Sequence, residues 1–65
     1  MTKPEAIALM KVGTKVKHTY FSEEEWVTMD PEGNMLFEDG VVCSPEEFWN
    51  HRKQYYWNDG WEIFE

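Results

Sequence analysis

Apolar and polar positions change period several times along this chain, and each change marks an element. Ala6, Ile7, Leu9 and Met10 place one apolar side along roughly three helical turns. Thr2-Lys3-Pro4-Glu5 in front of them reads as a helix start. It has a threonine N-cap, a proline in the first turn and a glutamate three residues on for a capping box. Gly13 supplies a left-handed stop. A helix this short is marginal alone, so its stripe must pack on something. From Thr14 the period is two. Val16, His18 and Tyr20 alternate with Lys15, Lys17, Thr19 and Phe21, which predicts a strand.

After the polar turn Ser22–Glu25, Trp26–Met29 reads as a second strand. Asp30-Pro31-Glu32-Gly33-Asn34 is a turn, with proline fixing φ and glycine supplying a positive one. Met35–Phe37 is a third strand, Glu38-Asp39-Gly40 a turn, and Val41–Cys43 a fourth strand. Ser44-Pro45-Glu46-Glu47 repeats the helix-start grammar, with acids where the macrodipole favours them. The helix it opens should end near Gln54, with Phe48, Trp49, Arg52, Tyr55 and Tyr56 on adjoining faces. Asn58-Asp59-Gly60 turns the chain into a last strand, Trp61–Phe64, with Trp61 and Ile63 on one side. The fold class is α+β. An N-terminal helix precedes a small antiparallel sheet of four or five short strands, and a second helix comes before the last strand. Residues 1–65 form one domain, with Ile7, Met10, Val16, Phe37, Phe48 and Trp61 expected in the core.

Length then limits what such a fold can do. A chain of 65 residues buries only about 60% of its unfolded surface, so the core is thin. Cys43 is the only cysteine, so no intramolecular disulfide can reinforce it, and self-association is the expected remedy. A lone cysteine suits a reducing cytoplasm, and the chain has neither a long apolar run nor a secretory signal pattern. The expected location is therefore cytoplasmic, with no membrane contact.

The net charge is −7, but its distribution says more. Residues 1–20 carry four lysines against Glu5, a balance of +3, while residues 21–65 carry Arg52 and Lys53 against twelve acids, a balance of −10. Phosphate-backbone binding needs several cations on one face, which argues against duplex nucleic acid as a partner. One local cation is still enough for a small anionic ligand.

No catalytic constellation emerges. Cys43 with His18 or His51 has no spacing that supports a thiol–imidazole pair, so the chain reads as a non-enzyme. The histidines, cysteine and acids lack the paired spacing of zinc ligands, and residues 30–34 lack the alternation of a calcium loop. No metal and no cofactor is expected. The anomaly is aromatic: four tryptophans, three tyrosines and four phenylalanines exceed what so small a core hides. The excess rings either cover a subunit interface or stack on a flat ligand, with Arg52 the best cation beside them. Arg52 is equally well read as an exposed arginine paired with Glu47 or another acid.

Two segments resemble a known family. Ala6-Ile7-Ala8-Leu9-Met10-Lys11-Val12-Gly13-Thr14-Lys15-Val16-Lys17-His18 is similar to the "A-L-x-x-L-K-x-G-K-K-V-x-R" opening of small phage proteins, the second type of Thoeris anti-defence protein. Asn58-Asp59-Gly60-Trp61-Glu62-Ile63 resembles their terminal "D-W-x-I" strand. The family's frequent arginine is His18 here and its following tryptophan falls on Phe21. The resemblance implies an oligomeric sponge that sequesters a cyclic ADP-ribose-type or cyclic nucleotide signal in the host cytoplasm.

The expectation is therefore a non-catalytic homo-oligomer, dimer or tetramer, that binds a small nucleotide-derived signal. Its site is expected where His18, Tyr20, Phe21, Trp26, Arg52 and Tyr56 meet, with Trp57 at the rim. The alternative is an acidic phage-type inhibitor that binds a host defence protein directly by nucleic-acid mimicry.

Overall fold

The computed structural model describes residues 1–65. In chain order it contains helix α1 (Lys3–Lys11), strands β1 (Val16–His18), β2 (Val27–Met29), β3 (Met35–Phe37) and β4 (Val42–Cys43), helix α2 (Pro45–Asn50), a 3-10 turn (Tyr55–Asn58) and strand β5 (Trp61–Ile63). All strand pairs are antiparallel, in the order β4-β3-β2-β1-β5. The α+β class and the order of elements match the sequence reading. No helix is long and apolar enough to cross a membrane.

Both helix starts form as their residues dictate. Thr2 Oγ1 accepts from Glu5 N at 3.4 Å, while Glu5 Oε1 accepts from Thr2 N at 2.8 Å, which closes the capping box. Ser44 Oγ accepts from Glu47 N at 3.1 Å. In the turn between β2 and β3, Asp30 Oδ1 accepts from Glu32 N and Asn34 N, and Gly33 has φ +83°.

Strand β5 ends one residue earlier than its pattern predicts, at Ile63, and β1 and α2 end several residues earlier. β1 stops at His18, because Phe21 N donates to His18 O at 2.9 Å and closes a turn. Tyr20 therefore leaves the alternation and turns outward. Helix α2 ends at Asn50 rather than near Gln54. Arg52 N donates to Trp49 O, and Arg52 Nη1 donates to Phe48 O at 3.2 Å, so these two carbonyls are satisfied without another helical turn. The chain then tightens into the 3-10 turn, which aims Trp57 at the sheet and lets Trp61 Nε1 donate to Trp57 O at 2.8 Å.

The core is a single cluster of Ala6, Met10, Val16, Val27, Met35, Phe48 and Trp61. Helix α1 lies on β2, β1 and β5. It buries the face that carries Ala6 and Met10, one turn apart, and leaves Ile7 at the margin of that face. Ile7 and Phe37, expected inside, are only half-buried. Ile63 shares a side with Trp61 but stays half-exposed, because β5 is the last strand of the sheet.

Candidate functional site

The site begins at the end of β1. His18 pairs with Trp61 across β1 and β5, and its ring is 3% exposed. The ring sits 4.9 Å from the Trp61 ring and 4.3 Å from Trp57, with Tyr20 at 5.4 Å and Phe21 at 6.3 Å. Nε2 lies 3.0 Å from Tyr56 O and 2.7 Å from Asp59 O. Both are acceptors, so the tautomer that fits carries its proton on Nε2. Nδ1 then accepts from Tyr20 N at 3.0 Å. Each ring nitrogen is thus engaged by backbone, and neither is free to meet a ligand. His18 holds the site together instead of supplying its cation, which corrects the role expected from the family's arginine.

Around this buried ring the polypeptide displays three tyrosines. Tyr20 and Tyr56 meet edge to face at 4.8 Å, and Tyr55 meets Tyr56 at 5.8 Å. They line one concavity of about 320 Å³ together with His18, Thr19, Asp59 and Gly60. Tyr55 is 84% and Tyr20 65% exposed, so these rings add little to the core and present stacking edges and faces to solvent. The sequence pattern does not place Tyr55 in the site. Read as the last face of a helix ending near Gln54, it looks like an ordinary helical tyrosine; the 3-10 turn Tyr55–Asn58 sets it beside Tyr56.

Arg52 lies on the other side of Trp57. Its guanidinium carbon stands 4.0 Å over the Phe48 ring, 5.4 Å over Trp57 and 6.0 Å over Phe21. Burial lowers its pKa from the ordinary guanidinium value, and it stays charged at neutral pH. The ion pairs of the protein are Met1 N–Asp59 and Lys17–Glu62, and neither includes Arg52. The expected partnership with Glu47 is absent. One guanidinium proton goes to Phe48 O, while the buried Nε–H has no acceptor. An arginine without a carboxylate, in a chain of net charge −7, keeps Nη2 for an incoming anion.

Of the expected site residues, His18, Tyr20, Phe21, Arg52, Tyr56 and Trp57 are drawn into one aromatic cluster. Trp26 is not. It packs against Phe64 at 6.4 Å under Lys15, whose Nζ is 4.4 Å from the ring, and makes no ring contact with the cluster. It precedes β2 rather than opening it. Trp61, read as core, is 1% exposed.

The electrostatics divide the site. Asp59 lines the tyrosine shelf and disfavours an anion there, so the shelf suits an uncharged ring and the Arg52 side suits a phosphate. No three His, Cys, Asp or Glu side chains come together to hold a metal ion. Burial and, less strongly, the charge of Glu47 push the Cys43 thiol above its ordinary pKa, which keeps it protonated and unreactive at neutral pH. Comparison with protein-family models, curated proteins and solved structures found no match to this chain.

Proposed function

We propose that this protein is a non-catalytic binding protein that captures a small nucleotide-derived signal, such as a cyclic nucleotide or a cyclic ADP-ribose-type molecule, in the cytoplasm of a host cell. The observation that carries the reading is the tyrosine shelf: Tyr20, Tyr55 and Tyr56 gathered around one concavity, with an unpaired arginine one ring away. A base stacks on the shelf and a phosphate reaches Arg52 Nη2. The likeness of residues 6–18 and 58–63 to the second type of Thoeris anti-defence protein suggests the same ligand class.

Magnitudes bear on how the site works. A sponge that competes with a receptor needs roughly nanomolar affinity, about −12 kcal/mol. Each base–ring stack is worth about 1–3 kcal/mol and a charged hydrogen bond about 1.5–3 kcal/mol. Two stacks and one such bond fall short. A concavity of about 320 Å³ is also at the low end for a ligand site, and it leaves the ribose and phosphates uncovered. A second copy that closes over the shelf supplies the missing contacts.

The test is capture and release. Purified protein is mixed with a panel of cyclic nucleotides and cyclic ADP-ribose-type molecules, and the unbound fraction is measured before and after heat denaturation. The proposal expects one member of the panel to be depleted and then returned intact. An altered product identifies an enzyme instead. Depletion of none removes the ligand reading and favours a direct inhibitor of a host protein.

A further inference from the structure

Two surfaces lie outside this site, and their properties are opposite. On α1, Lys3, Ile7 and Lys11 follow at four-residue spacing and share one face. With Pro4 and Ala8 they line a shallow groove of about 720 Å³ that reaches Asn58. Its floor is apolar, and its walls carry two of the four lysines of residues 1–20. Lys3 is steadied there, with Nζ 4.2 Å over the Trp49 ring. The one carboxylate on α1, that of Glu5, is engaged by Thr2 in the capping box.

The second surface is the free edge of the sheet. β4 ends the strand order and pairs only with β3. Beside and on it, Val41 is 54% and Val42 49% exposed. Glu38, Asp39, Glu46 and Glu47 flank these valines; all four are exposed, and none makes an ion pair within the protein.

Each surface rejects its own copy. Two grooves face to face would oppose lysines, and two β4 edges would bring eight carboxylates together, the device by which natural sheet edges avoid pairing. One groove against one edge does the reverse. The valines cover the Ile7 and Ala8 floor while the flanking acids meet Lys3 and Lys11. We infer that copies of this chain associate head to tail, with the α1 groove of one copy receiving the β4 edge of the next. The contact is heterologous, so it builds a ring if its rotation closes and a filament if it does not. The seated edge also lies against Asn58, the last residue of the turn that carries Tyr55 and Tyr56, which puts the neighbour at the rim of the tyrosine shelf.

The contact rests on charge and apolar complementarity alone and is measured with no nucleotide present, so its failure and a failure of ligand capture are separate results. Sedimentation velocity of the parent protein should give a mass above the 7.8 kDa of one chain, falling toward it at high salt. Lys3→Gln with Lys11→Glu turns the groove acidic, and Glu38→Lys, Asp39→Asn and Glu46→Lys together turn the edge basic. Each variant alone should sediment as a monomer, and an equimolar mixture should regain the parent's mass. Val42→Ser, at a half-exposed position outside the core, should lower the mass while the far-UV circular dichroism spectrum at low temperature stays that of the parent, which separates lost contact from lost fold. A parent protein that sediments at monomer mass, a groove or edge variant that keeps the parent's mass, or a mixture that stays monomeric overturns the inference.

Discussion

His18 and Asp59 are 41 positions apart in the chain and joined by one hydrogen bond, from Nε2 of the imidazole to the Asp59 carbonyl at 2.7 Å. The same nitrogen serves Tyr56 O, so one buried ring pins the end of β1 to the 3-10 turn and to the entry of β5. Removal should be felt as instability more than as lost chemistry. His18→Ala leaves two part-buried carbonyls and the Tyr20 N–H without their partner, and each lost hydrogen bond costs about 0.5–1.5 kcal/mol. Urea unfolding should therefore show a loss on the order of 3 kcal/mol, a large share of the stability of a thin-cored domain.

Gly60 and Gly33 separate backbone strain from steric conflict. Both have φ +83°, but a Cβ on Gly33 meets open space, whereas one on Gly60 lies 3.0 Å from His18 Nε2 and 3.1 Å from Thr19 Oγ1. Gly33→Ala should cost about 1–2 kcal/mol, the left-handed penalty alone. Gly60→Ala should cost measurably more in parallel thermal melts, because the His18 ring has no room to yield without losing its hydrogen bonds.

Ser44→Ala removes the side-chain cap of α2 and should lower stability by about 1 kcal/mol. Coincident melting curves for this variant and the parent protein would show that Glu47 N finds another acceptor.

The capping box should carry a pH signature. Hydrogen bonding to the Thr2 backbone, then to its side chain, lowers the pKa of Glu5 below the ordinary carboxylate value. A carboxylate that keeps its charge to lower pH when folded contributes stability that is present above its unfolded pKa and lost as pH falls through its folded one. Glu5→Gln keeps an oxygen acceptor but no charge. The parent protein should melt higher than this variant at neutral pH, and the two curves should converge in acid.

Tyr55 and Trp61 should behave in opposite ways. Tyr55→Ala removes an exposed ring, so the melting curve should stay in place while calorimetry of the captured nucleotide shows a loss of about 1–3 kcal/mol. Trp61→Ala empties the largest buried position and should cost about 3–5 kcal/mol, enough to unfold the domain. Arg52 falls between them. Its guanidinium packs on Phe48 and caps a carbonyl, so Arg52→Ala lowers stability as well as binding, and Arg52→Lys is the cleaner probe of Nη2.

Helix starts, turns and the succession of elements along the chain are legible in the residues themselves. Thr2 with Glu5, Ser44 with Glu47, and Asp30 with Gly33 and Asn34 act within four residues of one another, where sterics and one or two hydrogen bonds decide the outcome. Tertiary structure decided which rings face water and what His18 does. The Tyr56 and Asp59 carbonyls reach His18 from 38 and 41 residues away. They turn a residue that looked like a cation for a ligand into an internal strut and leave Tyr20, Tyr55 and Tyr56 around one hollow. Trp26 had the same aromatic chemistry but lies against Phe64 instead. Residue type sets what a ring can bind, but the fold sets which rings share a surface, because that depends on contacts between segments that no local pattern records.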